Sequence, residues 1–151
     1  ISAPNLNKST KSTNIKIVDN IIGANFLFDV KKIKKLKFFD EKFFLYWEDV
    51  DLCHRINNTK YKIIINNKAK AKHLSSKSSH NNLNTFFIRN INFKFGEYLY
   101  FNKINKLKKI KPLRQIFTNL IYFLTNLLSF KFLKSLQNIA YILGIFKFVF
   151  R

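Results

Sequence analysis

Apolar residues follow two patterns along the chain, and the change between them falls near residue 85. In the first part, short apolar runs rich in β-branched residues are separated by polar segments, as in strands joined by loops. A Lys-rich helix is predicted over 30–36, and a second helix begins at Glu48 or Asp49, where apolar residues start to recur every three positions. The predicted strands are residues 15–18, 21–28, 61–65 and 69–73.

The second part of the chain is predicted to be mainly helical. Residues 85–101 form a dense aromatic segment that is predicted to be a helix, and two amphipathic helices are predicted after it, over 113–129 and 133–146. Neither reaches the roughly 18 unbroken apolar residues of a membrane-spanning helix. Both suit a membrane interface, with the basic cluster 103–114 facing anionic headgroups. A pair of helices packed on a domain or on a partner fits the same pattern equally well.

Composition changes this picture only in part. The formal net charge is +20, but Lys, Asn, Ile and Phe are all abundant, which is typical of AT-rich coding sequence, so part of the charge needs no anionic partner. Met is absent and the first residue is Ile1, so we expect the chain to be part of a longer polypeptide. The single cysteine, Cys53, lies on the apolar face of its predicted helix, which indicates a buried structural thiol.

Acidic residues are concentrated in one stretch. Residues 38–56 hold five of the eight Asp and Glu side chains of this basic chain. One interpretation is an acidic helix start, because acids in a first turn suit the positive end of the helix dipole. Arg55, four residues after Asp51, would then form a favourable pair on that helix.

The order of residues in this stretch resembles a known signature. It is similar to that of the inverting family 2 glycosyltransferases, and in particular to the rhamnosyltransferase-like branch that builds bacterial surface polysaccharides. Many members carry Gly before the Phe-Asp-Glu triplet, where Lys37 and Phe38 stand here. The residues that carry the resemblance are Phe39-Asp40-Glu41, Phe43-Phe44, Tyr46, Glu48-Asp49, Asp51-Leu52 and Arg55.

The resemblance implies a role for individual residues. Asp49 would be the general base that takes the proton from an acceptor hydroxyl, which requires hydrogen-bond reach. Glu48 would help to hold the acceptor, together with Gly23 and Ala24 at the floor of the site. His73 would lie near the donor diphosphate as a metal ligand. The divalent metal, Mg or Mn, would be held mostly by an N-terminal half with an Asp-x-Asp motif, and no such motif precedes residue 21.

The implied fold class is α/β, namely the C-terminal half of a GT-A (Rossmann-like) glycosyltransferase domain followed by an α-helical tail. Residues 1–84 would be the acceptor-side part of the catalytic domain, without its nucleotide-binding half, and residues 85–151 the tail. The partners would be a nucleotide-sugar donor and a saccharide or lipid-linked acceptor. The fragment alone would be inactive, and residues 103–151 would contact the cytoplasmic face of a bacterial membrane peripherally.

Two other classes of protein remain open on sequence grounds. A basic membrane-surface interaction protein without catalysis is favoured by the charge and by the amphipathic tail. A nucleic-acid binder is favoured only by the basic charge and the interleaved aromatic residues. We expect no nucleic-acid partner, because the carboxylates of the acidic stretch would repel phosphates. Salt-sensitive binding to DNA would overturn that expectation.

Overall fold

The structure is a computed structural model, and it describes residues 14–72 and 82–151. These residues form two compact units. The first, the α/β unit, comprises residues 14–42 and 48–72; the second, the helical unit, comprises residues 43–47 and 82–151. The Phe43–Trp47 segment therefore belongs to the helical unit, although the chain on both sides of it belongs to the other.

The α/β unit contains a two-stranded sheet and two helices. Strand β1 (Ile15–Val18) pairs antiparallel with β2 (Ile63–Asn66), with Ile17 opposite Ile64. Helix α1 (Val30–Lys34) and helix α2 (Glu48–Asn57) lie between them in the sequence. The strands agree with the predictions for 15–18 and 61–65, and both helices begin where they were predicted.

Local chemistry explains where these helices begin. The Asp29 carboxylate accepts hydrogen bonds from the backbone N–H groups of Lys31 and Lys32, which caps α1. Helix α2 has Glu48, Asp49 and Asp51 in its first turn, where the helix dipole favours negative charge. Four apolar side chains form the buried part of the unit, and they come from both helices and from β2: Ile33, Leu52, Cys53 and Ile63.

Two predicted strands are wrong. Residues 21–28 form a turn around Gly23–Asn25 and then irregular backbone, with Ile22 and Leu27 exposed. An apolar run cannot become a strand without a neighbour to pair with, and β1 and β2 pair only with each other in the described part of the chain. Residues 69–72 also form no strand, because Ala and Lys have low strand propensity.

The helical unit contains three long helices. They are α3 (Leu83–Lys103), α4 (Pro112–Leu128) and α5 (Phe132–Val149), with a single 3₁₀ turn at Leu107–Lys109 between α3 and α4. The Asn82 side chain accepts a hydrogen bond from the Thr85 N–H and caps α3. All three helices were predicted, with ends that differ by a few residues.

The core of the helical unit lies between α3 and α5. Tyr98, Ile145 and Phe148 are its buried members, and Ile116 of α4 packs against them. The Tyr98 hydroxyl donates a hydrogen bond to the Ile110 carbonyl at 3.0 Å. Gly144 lets α5 approach α3 closely, since a Cβ there would lie 2.5 Å from the Ile91 carbonyl oxygen.

Candidate functional site

Asp49 and Gly23 meet in the α/β unit although 26 residues separate them. The Gly23 N–H donates a hydrogen bond to Asp49 Oδ2 at 2.8 Å, and the Val50 N–H donates to Asp49 Oδ1, also at 2.8 Å. The resemblance implied that Gly23 and Asp49 belong to one site. The φ of Gly23 is not positive, and an added Cβ would make ordinary contact with Asp49 at 3.4 Å.

Glu48, the first residue of α2, is in a different setting from its neighbour. Its Oε2 atom is buried and has no hydrogen-bond partner within residues 14–72 and 82–151. Burial raises the pKa of this carboxyl, and the adjacent charge of Asp49 raises it further. Glu48 is therefore more readily protonated than an ordinary glutamate, while both oxygens of Asp49 accept backbone hydrogen bonds.

Asp51 and Arg55 fix the turn before the acidic stretch. Asp51 is 1% exposed, and Arg55 Nε donates to its Oδ2 at 2.8 Å. The two terminal nitrogens of Arg55 donate to the carbonyl oxygens of Leu36 and Phe38. The spacing of the sequence predicted the ion pair, but it carried no signal for the two carbonyl contacts.

The turn held by Arg55 has a backbone conformation that glycine adopts most easily. Lys37 has a φ of 59° and Phe38 a φ of 43°, both in the left-handed region. This is the place where many members of the resembled family carry Gly. In this chain Lys37 and Phe38 adopt the turn, and Arg55 holds it through the Leu36 and Phe38 carbonyls.

Two further left-handed residues, Tyr46 and Trp47, come directly before α2, with φ values of 67° and 71°. Such residues cost roughly 1–3 kcal/mol each and persist where other contacts hold them. Here Trp47 is buried against the rings of Phe93, Tyr100 and Phe101 of α3. The aromatic run of the signature is thus an anchor of the helical unit.

The remaining predicted site residues are Ala24 and His73. Ala24 follows Gly23 in the same exposed turn. His73, the predicted metal ligand, lies outside the described residues. In the part of the chain that the structure describes, no three His, Cys, Asp or Glu side chains are grouped so that they could hold a metal ion.

Cys53 fits its predicted structural role. Its thiol is buried, with Sγ 4.0 Å from the carbonyl oxygen of Ile21. Burial raises the pKa of this thiol, which keeps it neutral and unreactive.

Each unit also has a cavity, and neither is lined by Glu48 or Asp49. The cavity of the α/β unit, about 320 Å³, lies between α1, α2 and β2 and is mainly apolar. The cavity of the helical unit, about 770 Å³, lies between α3 and α5. Its lining residues are Tyr46, Asn82, Leu83, Phe86, Arg89, Asn90, Phe93, Leu133, Gln137 and Tyr141.

Polar side chains on one side of the larger cavity are hydrogen-bonded to one another. Gln137 Nε2 donates to the Asn90 side-chain oxygen at 2.9 Å and to the Tyr141 hydroxyl at 3.0 Å. The sequence did not single out Gln137. The signal that could have found Gln137 is its spacing of four residues from Leu133 and Tyr141, on one face of α5.

The arrangement around Asp49 suits proton abstraction. Each carboxylate oxygen accepts one N–H, which leaves further lone pairs to receive a proton from a hydroxyl group. The side chain is half-buried, so it stays within reach of a ligand.

Comparisons of the chain with protein-family models, with curated proteins and with solved structures found no match.

Proposed function

We propose that this chain is the acceptor-side part of an inverting glycosyltransferase in which Asp49 is the general base. The observation that carries the proposal is the hydrogen bond from the Gly23 N–H to Asp49 Oδ2, at 2.8 Å. It joins two parts of the sequence to which the resemblance gives the same site. The left-handed turn at Lys37 and Phe38 also supports the proposal, because many members of the resembled family carry Gly at this place.

The proposed reaction is a single displacement. The acceptor hydroxyl gives its proton to a free lone pair of the Asp49 carboxylate while its oxygen bonds to the anomeric carbon of the donor sugar. The bond from that carbon to the diphosphate breaks, and the nucleoside diphosphate leaves with the electron pair. General bases of this kind contribute about 10²–10⁴-fold to the rate. Donor binding belongs to a nucleotide-binding half, as in the resembled family.

Glu48 has a distinct role in this proposal. Burial raises the pKa of this carboxyl, so it holds a proton more readily than an ordinary glutamate, and its protonated form can donate a hydrogen bond to an acceptor oxygen. Two adjacent carboxyl groups in unlike environments can divide the work of binding and of proton abstraction. We expect Glu48→Ala to weaken acceptor use more than donor binding, and Glu48→Gln, whose amide can also donate a hydrogen bond, to weaken it by a smaller factor.

The competing interpretation is that Asp49 only tethers the Gly23 turn to α2. An assay of the complete gene product separates the two. Release of nucleoside diphosphate is measured with UDP-glucose, UDP-galactose, GDP-mannose and dTDP-rhamnose, in the presence of a bacterial membrane extract as the acceptor source. We expect one donor to be consumed, and Asp49→Asn to abolish its consumption while nucleotide-sugar binding remains. Consumption of no donor, or near-normal turnover by Asp49→Asn, would contradict the proposal.

A further inference from the structure

Helix α4 turns its apolar face away from the rest of the helical unit. Leu124 is 55% exposed and Phe117 is 66% exposed, although these residues belong to the stripe that would ordinarily form a core. On a helical projection the exposed apolar residues occupy an arc of roughly 120°. Its members are Leu113, Phe117, Leu120, Ile121, Leu124, Leu127 and Leu128.

Beside Ile116, the buried contacts between α4 and α5 include polar and small side chains. Asn119 is only 6% exposed and is the buried residue of α4, and Ser135 and Asn138 are buried on α5. The Ser135 hydroxyl donates to the Phe123 carbonyl across the two helices at 3.2 Å. The side-chain amides of Asn119 and Asn138 donate to carbonyls of their own helices. Small polar residues inside and large apolar residues outside are typical of helices packed in lipid.

The exposed surface of α4 is not apolar all round. A second strip carries polar side chains, including Arg114 and Thr125, which are exposed beside the apolar arc. A helix that spans a bilayer would meet lipid on this strip as well. A helix that lies in the membrane interface needs an apolar arc on one side and a polar strip on the other, which is the pattern of α4. Among the described residues, only α5 is long and apolar enough to cross a membrane.

Charge identifies the kind of surface that fits this arc. No Asp or Glu follows Glu97, whereas ten Lys and Arg residues do. Exposed basic residues stand at both ends of the α4–α5 hairpin: Lys106, Lys108, Lys111 and Arg114 near the start of α4, and Lys131 and Lys134 at its connection to α5. An apolar arc bounded at both ends by cations complements acyl chains beneath anionic headgroups.

We infer that the α4–α5 hairpin docks flat in the surface of an anionic lipid bilayer, with the apolar arc of α4 inserted between the headgroups. Basic residues at both ends of α4 argue for one leaflet, because insertion of α4 across the bilayer would carry Lys131 and Lys134 to the far side. This inference does not depend on glycosyl transfer, and its test uses neither donor nor acceptor.

The test is flotation of the full chain with phosphatidylcholine vesicles, with and without about one third phosphatidylglycerol. We expect binding to be tighter to the anionic vesicles and only partly reversed by high salt, because salt does not screen apolar burial. The triple variant Leu120→Ser, Leu124→Ser, Leu127→Ser should weaken binding on the order of 100-fold, because it removes three inserted side chains. Its circular dichroism should stay unchanged, since these positions are exposed.

A second variant tests the charge. Lys106→Gln, Lys108→Gln and Lys111→Gln together should remove most of the preference for anionic vesicles, at up to about fivefold for each residue at low salt. Matched controls come from the α/β unit. Lys31→Gln, Lys34→Gln and Lys35→Gln remove the same charge, and Ile17→Ser, Ile64→Ser and Ile65→Ser remove exposed apolar area. Both control variants should bind vesicles like the unmodified chain.

Several results would overturn the inference. They are no flotation with either vesicle, undiminished flotation of the Leu→Ser variant, and equal binding to neutral and anionic vesicles. A dimer in solution that the Leu→Ser variant dissociates would also overturn it, because the arc would then be an interface between copies. Crossing of the bilayer, seen as protection of a Ser129→Cys thiol from an impermeant reagent while position 111 stays reactive in Lys111→Cys, would overturn the one-leaflet arrangement. Both variants are made in a Cys53→Ala background.

Discussion

The two units of this chain stabilise their structures in opposite ways. In the α/β unit, polar side chains of α2 reach distant backbone: Asp49 accepts from Gly23, Arg55 donates to Leu36 and Phe38, and Asn57 donates to the Asp19 carbonyl at 2.7 Å. These contacts hold segments that have no regular structure of their own. One helix therefore organises most of the loops of the unit.

The helical unit depends on shape at close helix contacts. Trp47 lies against Gly96, where an added Cβ would be 2.9 Å from the indole Cδ1, and Gly144 permits the approach of α5 to α3. Polar side chains are buried between the helices, and large apolar side chains are exposed on α4. Substitutions that remove polar side-chain contacts should therefore lower the stability of the α/β unit most, whereas small increases in side-chain volume should lower that of the helical unit most.

The largest effect is expected at the buried ion pair of the α/β unit. Asp51→Asn leaves the Arg55 guanidinium mostly buried without its carboxylate, which typically costs about 3–5 kcal/mol of unfolding free energy. Lys32→Gln is the matched control, because the Lys32–Asp29 pair is about half exposed and worth less than about 1 kcal/mol. Urea unfolding measures both. Equal losses in the two variants would contradict the difference in burial.

Replacement of each of the three glycines by alanine should distinguish the two units by the loss of unfolding free energy. Gly144→Ala would place a methyl group 2.5 Å from a backbone carbonyl oxygen, and we expect a loss of about 2 kcal/mol after the gain in helix propensity. Gly96→Ala, which mainly displaces the Trp47 side chain, should lose about 1 kcal/mol. Gly23→Ala should change stability by less than about 0.5 kcal/mol. Thermal unfolding would contradict this order if Gly23→Ala were the most damaging.

A smaller effect is expected from pH. Folding raises the pKa of Glu48, so the folded state holds this proton more tightly than the unfolded state. Its stabilising contribution is fully present below the ordinary glutamate pKa and is lost as pH rises through the raised one. Relative to Glu48→Gln, the unmodified chain should therefore lose stability as the pH rises above the ordinary glutamate pKa of 4.5. A difference between the two proteins that does not vary with pH would contradict the burial of this carboxyl.

The sequence predicted elements better than it predicted what each surface contacts. All five α-helices of the described residues were predicted, and apolar periodicity located α2, α4 and α5, because it reports helical spacing wherever the helix lies. The same recurrence does not specify a partner, so it could not show that Asn119 and not Leu124 is buried. The predicted strand at 21–28 is wrong for a related reason. Its apolar residues favour a strand, but the Gly23 N–H bonds to a side chain 26 residues away.

The candidate site was named from two kinds of sequence information. The Asp51–Arg55 pair follows from helical spacing, whereas Glu48 and Asp49 were named only through the resemblance. The carbonyls that Arg55 binds could not be named, since any backbone offers the same acceptor. The role of Tyr46 and Trp47 in the helical unit could not be predicted, because these residues adjoin α2 in sequence while their ring contacts are with the distant α3.

The most direct test of the central claim compares Asp49→Asn with Asp51→Asn in the complete gene product, with turnover and unfolding free energy measured on the same samples. If Asp49 is the base, Asp49→Asn lowers turnover about 10²–10⁴-fold. Its unfolding free energy should fall by about 1 kcal/mol, because the single Asn oxygen can still accept the Gly23 N–H but not the Val50 N–H as well. Asp51→Asn should do the reverse, with the large loss of stability and less than about a tenfold change in turnover per folded molecule. If Asp49→Asn retains turnover, or loses it only in proportion to lost stability, Asp49 is a tether and the proposed function fails.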